Sequence, residues 1–275
     1  MDLNIVIVNW KAKDDIEKCL KSLFADLEGS GLNFVVQVVD NSGNSDGIKE
    51  MLQEKFPQVK YRDSGGNIGF GRAQNLGLKE VEAKYYLPLN PDVCFQAPFN
   101  TLEKLIFFLE NRGEAGIVAP QLLNSDGSVQ YSCYRFPGVL DQMARRMNWG
   151  RKGGFFSKRI NYYLMRDFDH SQSVPVDWVM GSFMLVRREL VREIGFFDDK
   201  FFMYFEDCDW CRRAWENNWQ VFYYPEIKVI HGHRRETAED KPFRSLIKNS
   251  LARTHLKSWI RYFRKWGFRK KKFGK

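Results

Sequence analysis

The chain has 275 residues, 44% of them hydrophobic and 15% aromatic. This composition is typical of a folded globular protein and excludes an intrinsically disordered one. Its apolar runs are shorter than the roughly 18–20 residues that cross a bilayer, and no basic stretch precedes the first one. Five scattered cysteines are typical of reduced thiols. We therefore expect a cytoplasmic protein.

The formal net charge of +9 is concentrated in one segment, because every acidic residue lies within residues 1–240. Residues 241–275 are basic, and from Phe243 to Trp266 their apolar residues recur at helical spacing. This pattern predicts an amphipathic helix that lies on an anionic membrane surface or packs against the rest of the chain. Nucleic acid is not an expected partner, because residues 1–240 are net acidic and contain no recognisable DNA- or RNA-binding module.

Strand and helix patterns alternate along the chain, which predicts an α/β fold with a mostly parallel sheet and helices on both faces. Asp14 is the predicted N-cap of the first helix. The stretch 136–173 has weak periodicity and is predicted to be a mobile or partner-facing excursion. The predicted elements are, in order, strand Leu3–Val8, helix Asp14–Phe24, strand Val35–Val39, helix Gly47–Lys55, strand Val59–Arg62, helix Gly71–Glu80, strand Tyr85–Leu89, strand Phe183–Val186, helix Asp207–Asn217, and strands Val221–Tyr224 and Lys228–Ile230.

Polar clusters follow two of the predicted strands. Asp40-Asn41-Ser42 and Asn90-Pro91-Asp92 lie where strands end, which is the edge at which such sheets bind ligands. Asp92 is a candidate ligand for magnesium or manganese, because hard cations prefer oxygen donors. Asn-Pro-Asp is also ordinary turn chemistry, so both interpretations stay open.

Three carboxylates, Glu206, Asp207 and Asp209, open a predicted helix directly after an apolar run. Acidic residues at a helix N-terminus are favoured by capping and by the helix dipole, but three in four positions exceed what a cap needs. Residues i and i+3 share a helix face, so Glu206 and Asp209 are expected to point one way and Asp207 another. His231 ends a predicted strand in the sequence His-Gly-His, which by itself is also typical of a structural or exposed histidine.

The run from Gly65 to Asn75 is rich in glycine and precedes a helix, which is typical of a phosphate cradle. It matches neither the dinucleotide fingerprint nor the Walker pattern. A tight turn without a ligand remains an equal alternative.

Taken in order, these segments resemble family 2 glycosyltransferases of the GT-A fold, and among them the rhamnosyltransferase-like branch that builds bacterial polysaccharides. The resemblance spans about residues 3–235. It implies a Rossmann-like GT-A catalytic domain at 1–240, with a nucleotide-binding half at 1–120 and an acceptor half at 121–240, followed by the basic tail 241–275. The motifs that carry it are IVIVNWK, VVDNSG, NIGFGRAQNLG, LPLNPDV, WVMGSFMLVRR, FDDKFFMYFEDCDWCRRA and HGH.

The resemblance also implies roles for individual residues. Asp207 matches the general base, with Glu206 as its rival. His231 falls where some members place a metal ligand, with His233 as the local alternative, and Asp92 would carry the charged ligation because Asn90 replaces the first acid of the family's DXD motif. For the donor, Asp40 would read the pyrimidine, Asn67 and Arg72 would lie along the nucleotide, and Asn75 would support that loop. The residues implied to line the donor sugar and acceptor are Trp178, Gly181, Ser182 and Trp210.

The implied activity is sugar transfer, with inversion, from a nucleotide diphosphate donor to a hydroxyl of a glycan or a polyprenyl-linked saccharide. A divalent cation, Mn²⁺ or Mg²⁺, would be the cofactor, and the inner face of the plasma membrane the expected location. dTDP-rhamnose is the first candidate donor and a UDP-sugar the alternative. A nucleotidyltransferase and a non-catalytic membrane-associated scaffold are the competing classes.

Overall fold

The computed structural model describes residues 1–146, 154–232 and 250–268. Within these ranges the chain forms an α/β structure built on a large mixed sheet. The strands are β1 Leu3–Asn9, β2 Phe34–Asp40, β3 Lys60–Asp63, β4 Tyr85–Leu89, β5 Val93–Cys94, β6 Ala115–Leu123, β7 Val129–Gln130, β8 Cys133–Tyr134, β9 Val174–Pro175, β10 Trp178–Val179, β11 Leu185–Arg187 and β12 Gln220–His231. The helices are α1 Lys13–Leu27, α2 Ile48–Lys55, α3 Phe70–Leu78, α4 Thr101–Glu110, α5 Val139–Arg146, α6 Gly154–Tyr163, α7 Arg188–Ile194, α8 Glu206–Glu216 and α9 Ser250–Trp266.

The sheet order is β3-β2-β1-β4-β11-β6-β12-β5. Strands β3, β2, β1 and β4 are parallel to one another, and β12 is parallel to β6. β11 is inserted antiparallel between β4 and β6, and β5 pairs antiparallel with β12. The carboxyl ends of β2, β4 and β12 therefore lie at one edge of the sheet. The polar clusters predicted to bind ligands are at this edge.

Alternation along β1 creates a core on each face of the sheet, because successive side chains of a strand point to opposite faces. Leu3, Ile5 and Ile7 pack with α1, whereas Val6 and Val8 pack with α3. α3 approaches β1 closely: a Cβ added at Gly77 would lie 2.8 Å from both γ-carbons of Val6. Gly77 thus allows the helix that follows the glycine-rich run to pack directly on the sheet.

Several predicted boundaries require correction. Asp14 is not an N-cap: α1 begins at Lys13, and Asn9 Oδ1 and Asp46 Oδ2 instead accept hydrogen bonds from the first backbone N–H groups of the helix, those of Ala12 and Lys13. The two strands predicted between Val221 and Ile230 form the single strand β12, which carries an irregularity between Tyr224 and Lys228. The predicted excursion at 136–173 contains α5 and α6, with residues 147–153 outside the described ranges.

α9 packs against the rest of the chain. Its Tyr262 and Phe263 are buried in one cluster with Phe136, Phe201 and Phe205. The packing alternative for the tail is thus confirmed for the part described, whereas residues 241–249 and 269–275 lie outside it. Within the described ranges, no helix combines the length and hydropathy that a membrane span requires.

Candidate active site

Asp207 occupies the start of α8 and is half-buried against the segment that precedes β11. Its Oδ2 accepts a 2.9 Å hydrogen bond from the backbone N–H of Gly181, and its Oδ1 a 2.7 Å bond from that of Cys208. Burial raises the pKa of Asp207, and these two backbone donors oppose the rise. The carboxylate is fixed in position and retains basicity, which are the two properties of a general base.

Glu206 lies in a different environment, although it adjoins Asp207 in sequence. It is only 5% exposed and sits beside Gly71 on α3, and within the described ranges no group hydrogen-bonds its Oε2. Burial, followed by the charge of Asp207, raises the pKa of Glu206 well above its ordinary value. Of these two adjacent carboxyls, Glu206 is therefore the one that holds its proton more strongly.

Asp209, the third carboxylate, is fully buried and faces α9. Its oxygens accept hydrogen bonds from Arg213 Nε at 2.9 Å, Trp266 Nε1 at 2.8 Å and Lys265 Nζ at 3.0 Å. The sequence predicted two directions for the three acidic side chains, with Glu206 and Asp209 together. In the structure each carboxyl has different surroundings, and the contacts of Asp209 with Arg213, Lys265 and Trp266 give it a structural role.

The turn before α8 has an unusual backbone. Tyr204 and Phe205 have φ values of 69° and 68°, in the left-handed region, which costs an L-residue about 1–2 kcal/mol. Packing compensates for this cost: both rings lie against His255 of α9, with ring centroids 5.1 Å and 5.4 Å away. From this turn, the side chain of Glu206 lies beside Gly71 of α3 and that of Asp207 lies beside Gly181.

Asp92 and His231 meet at the carboxyl ends of β4 and β12. His231 Nε2 lies 3.3 Å from Asp92 Oδ1 and 3.3 Å from Asn90 Nδ2. On the other side of the ring, Nδ1 is 2.7 Å from Oε1 of Gln130, which fixes the tautomer with the proton on Nδ1. Nε2, which then accepts a hydrogen bond from the Asn90 amide, and the Asp92 carboxylate are two donor types that a divalent cation binds when it displaces that amide.

The two-residue set suits a cation that also binds substrate phosphate. Groups of three or more His, Cys, Asp or Glu side chains with metal-binding geometry do not occur within residues 1–146, 154–232 and 250–268. His233, the alternative ligand, lies outside these ranges. The residues present therefore fit a cation completed by oxygens of a diphosphate and water.

The Asp92–His231 pair and Asp207 are connected through the Gly181-Ser182 segment. The backbone N–H of Asn90 donates a 2.8 Å hydrogen bond to the carbonyl of Ser182, and Ser182 directly follows Gly181, which holds Asp207. The segment that holds Asp207 is thus hydrogen-bonded to the turn that carries Asp92.

Asp40 ends β2 and is fully buried. Its Oδ1 accepts hydrogen bonds from Asn9 Nδ2 at 3.0 Å and Ser42 Oγ at 2.8 Å, and Tyr61 donates to its Oδ2 at 3.2 Å. Burial alone would raise the pKa of Asp40, but hydrogen bonds from Ser42, Asn44 and Asn9 outweigh it and lower the pKa. An ionised Asp40 therefore orders the loop at the carboxyl end of β2.

A polar cavity of about 260 Å³ lies beside this loop, lined by residues 11–15 and Asp46. Asp46 accepts a 3.1 Å hydrogen bond from Asn9, the residue that also holds Asp40. The cavity and the Asp40 loop thus share the same edge of the sheet as Asp92.

The glycine-rich run is tied to both neighbouring loops. Asn41 Oδ1 accepts the backbone N–H of Ile68 at 3.0 Å, and Asn41 Nδ2 donates to Asn67 Oδ1 at 3.1 Å. Gly69 has a φ of 91° and lies directly against the backbone of Phe202, so that a Cβ there would clash. The run is therefore held between the β2 loop and the turn before α8.

Comparison with known proteins decides the family. The model of "Glycosyl transferase family 2" matches residues 4–195, and that of "Glycosyl transferase family group 2" matches residues 134–269. The chain belongs to glycosyl transferase family 2.

Among relatives, the chain is 30% identical over 266 residues to the rhamnosyltransferase WbbL of Escherichia coli K12, covering 94% of this chain and 91% of WbbL. It is 26% identical to the N-acetylglucosaminyl-diphospho-decaprenol L-rhamnosyltransferase of Mycobacterium tuberculosis, covering 86% of this chain and 78% of that protein. It also superimposes with a TM-score of 0.59 on the mannosyltransferase PcManGT of Pyrobaculum calidifontis in complex with GDP-Man and Mn²⁺, at 14% identity, covering 94% and 64% of the two chains. The rhamnosyltransferase-like resemblance and the GT-A fold are confirmed.

Two tryptophans of this glycosyltransferase differ in their suitability for sugar contact. Trp178 is partly exposed and stacks on Tyr134 with ring centroids 4.5 Å apart, so its exposed edge remains a candidate surface. Trp210 is fully buried, packs on Phe197 and donates Nε1 to the carbonyl of Gly195 at 2.9 Å. The expectation that Trp210 stacks on a sugar is wrong, because both of its faces are in the core.

Arg72 and Asn75 of the glycosyltransferase contact the loop before α8. Arg72 Nε donates to the carbonyl of Asp199 at 2.7 Å, and Asn75 donates to the carbonyl of Phe197 at 2.8 Å. Asn75 thus supports the loop, whereas Arg72 is exposed and keeps its terminal amines available to solvent.

Sequence analysis missed Gln130 and Gln74, and it named Ser182 only through the family resemblance. Gln130 lies in a two-residue strand and orients His231. Gln74 and Ser182 are buried with no side-chain hydrogen bond from any described residue. Gln74 lies three residues after Gly71, which contacts Glu206. Because residues i and i+3 share a helix face, helical spacing alone could have indicated Gln74.

Proposed function

We propose that this family 2 glycosyltransferase is a divalent-cation-dependent, inverting rhamnosyltransferase that uses dTDP-rhamnose. The observation that supports it is the hydrogen-bonded link, through the Gly181-Ser182 segment, between the Asp92–His231 pair and Asp207. Sugar transfer needs charge stabilisation at the leaving diphosphate and a base at the attacking hydroxyl.

Asp207 accepts the proton of the acceptor hydroxyl. The hydroxyl oxygen attacks the anomeric carbon, the bond from that carbon to the diphosphate oxygen breaks, and dTDP leaves on the opposite face, so the configuration inverts. Gly181 and Cys208 hold the carboxylate by backbone donors that do not titrate. Glu206 is disfavoured as the base because its buried carboxyl has a raised pKa and retains its proton.

Asp92 and His231 would hold the cation, with Gln130 fixing the imidazole. A bound Mn²⁺ or Mg²⁺ supplies positive charge for the diphosphate. PcManGT, with GDP-Man and Mn²⁺, supports a cation in this fold.

The donor is assigned from the relatives and from the β2 loop. Two relatives are rhamnosyltransferases by name. In the proposal Asp40 orders the loop that meets the base, Asn67 and Arg72 follow the diphosphate, and Ser182 and the edge of Trp178 line the sugar and acceptor. A UDP-sugar is the alternative donor, because a pyrimidine pocket does not by itself select between thymine and uracil.

A lipid-linked saccharide is the proposed acceptor, and the exposed face of α9 the proposed membrane contact at the inner face of the plasma membrane. This face carries four basic residues and no acidic one, together with exposed Ile260 and the neighbouring Phe268. α5, whose Val139 packs against the cluster that contains Tyr262, has exposed Leu140 and Met143. Basic and apolar side chains on one surface favour an anionic bilayer. The four basic residues are Arg253, Lys257, Arg261 and Arg264.

The test is calorimetric titration with dTDP, UDP and GDP, with and without Mn²⁺, followed by transfer from dTDP-rhamnose to a synthetic lipid-diphosphate saccharide. We expect Mn²⁺-dependent binding of dTDP and a product of inverted anomeric configuration by NMR. Tighter binding of UDP than of dTDP would replace dTDP-rhamnose by a UDP-sugar as the proposed donor. Absence of binding and turnover with all three nucleotides would favour the non-catalytic scaffold.

A further inference from the structure

Two groups of contacts connect α9 to the segment that carries the proposed base. At one end of the helix, Lys265 and Trp266 bind the buried carboxylate of Asp209, two residues after Asp207. In its middle, Ser258 Oγ donates a 2.8 Å hydrogen bond to the carbonyl of Met203, four residues before Asp207. Contacts from one helix therefore bracket the base on both sides.

The bracketed segment includes the strained turn. Tyr204 and Phe205 are held in the left-handed region, and the ring of Phe205 packs on Tyr262 at 5.3 Å as well as on His255. Residues in such conformations persist only where surrounding contacts determine them. The contacts that surround this turn come in large part from α9.

The network of contacts extends from α9 to α3, which belongs to the nucleotide-binding half. Lys265 Nζ also binds Asp198 at 2.7 Å, and the adjacent Asp199 accepts hydrogen bonds from Arg72 and Asn75 of α3. The same loop receives the guanidinium of Arg213, which donates to the carbonyl of Phe196 at 2.7 Å. α9, α8 and α3 are thus joined through one loop.

We propose that α9 is a clamp that positions the general base, with Lys265 and Trp266 acting as positioning residues through Asp209. The inference rests on the proposed role of Asp207. It assigns the basic C-terminal helix a part in turnover that is separate from its exposed face. Loss of the Trp266 hydrogen bond to Asp209 is expected to release the Tyr204-Phe205 turn and move Asp207, while the Lys265–Asp198 contact that leads to the donor pocket remains.

The test compares Trp266→Phe with Trp219→Phe in the full chain. Both substitutions remove an indole N–H that donates to a carboxylate, since Trp219 Nε1 binds Glu193 at 2.9 Å on the surface near α7. Trp266→Phe is expected to lower kcat about tenfold or more, since small misplacements of reacting groups cost on the order of 100-fold. KM for the donor and the affinity for dTDP should stay within about twofold, because the clamp acts on the base.

Lys265→Met and Lys265→Arg form a second pair. The first should lower kcat in the same way and the second should restore most of it, which loss of general stability would not produce. Should either variant unfold, Ser258→Ala removes only the contact to Met203 and is expected to lower kcat about threefold, in line with a single hydrogen bond of roughly 0.5–1.5 kcal/mol.

Hydrogen–deuterium exchange over residues 203–210 gives a readout independent of turnover. Faster exchange in Trp266→Phe but not in Trp219→Phe supports the clamp. Unchanged exchange together with unchanged kcat in the folded Trp266→Phe and Ser258→Ala variants overturns it. If wild type and Trp219→Phe turn over the donor, unchanged exchange and unchanged kcat in the variants overturn the clamp but leave the proposed function intact. If wild type shows no turnover, the function fails and exchange alone decides the clamp.

Discussion

The backbone N–H of Gly181 donates directly to Oδ2 of Asp207, and the two residues are so close that a Cβ at position 181 would lie 3.2 Å from the Asp207 Cβ. Gly181→Ala is therefore expected to displace the carboxylate and lower kcat about 10- to 100-fold, in line with the cost of misplacing a catalytic group. Steady-state kinetics with the donor saturating measures this. Gly113→Ala is the matched control, since no atom lies within 4 Å of an added Cβ there. A Gly181→Ala enzyme with full kcat would show that Asp207 need not occupy this position.

Asp207→Asn removes the proposed base while preserving the shape of the side chain. We expect kcat to fall about 10²- to 10⁴-fold, the usual contribution of general-base catalysis. The affinity for dTDP should be unchanged, and titration calorimetry measures it alongside single-turnover kinetics. A loss below about tenfold, with a larger loss in Glu206→Gln, would transfer the role of base to Glu206.

Gln130→Leu tests the proposed cation pair through the residue that orients it. Without the Gln130 acceptor, the His231 ring loses its fixed tautomer, and Mn²⁺ affinity should fall about 10- to 100-fold. Electron paramagnetic resonance of free Mn²⁺ in the presence of dTDP measures the affinity without relying on turnover. Gln172→Leu, at an exposed position, is the control. Equal Mn²⁺ affinity in both variants would contradict the assignment of His231.

Glu206→Gln tests the buried carboxyl by stability. Burial raises the pKa of Glu206 above its ordinary value of 4.5, so the folded chain retains a proton that the unfolded chain releases. That difference lowers stability progressively as the pH rises above about 4.5. The Gln variant does not lose stability in this way, so its Tm at pH 8 should exceed that of wild type. The expected difference is about 2–4 °C for each kcal/mol by which the free energies of unfolding differ. Thermal unfolding between pH 4 and 8 measures the trend; a Tm difference that does not grow with pH would contradict it.

Charge reversal on the exposed face of α9 tests the membrane contact. Lys257→Glu with Arg261→Glu should weaken binding to phosphatidylglycerol vesicles by more than tenfold, since each basic residue near such a surface contributes about 1 kcal/mol. Co-sedimentation measures the binding, and Lys18→Glu with Lys104→Glu, at exposed positions on α1 and α4, is the control. Equal binding of the two double variants would exclude α9 as the membrane contact.

Much of the fold follows from local pattern. β1, β2 and β4 have apolar runs bounded by polar turns, and these elements match their predictions within a residue or two. The capping of α1 could not be predicted from local sequence, because its acceptors come from Asn9 and, from beyond β2, Asp46. β12 read as two strands because its irregularity at residues 225–227 interrupts the alternation.

Candidate site residues could be predicted where a suitable side chain also lies at the end of a strand. They could not be predicted where burial in the core determines whether a side chain is accessible. Asp92 and His231 were expected at strand ends, and the parallel sheet brings them together. Trp210 was misassigned because a helix pattern does not reveal which aromatic side chain faces the core. Gln130 gave no signal, since its importance arises only from the ring that it touches across the sheet.

The position of β12 between β6 and β5 has a consequence for how the chain would form the proposed cation site. Asp92 precedes β5 and His231 ends β12, so the two side chains are far apart in sequence and become neighbours only when β12 pairs with β5. The Asp92–His231 pair is therefore absent from the unfolded chain. An ion that binds to this pair binds only the folded chain. Such an ion raises the free energy of unfolding by mass action, and chelation should make the protein easier to unfold by urea as well as slower to turn over.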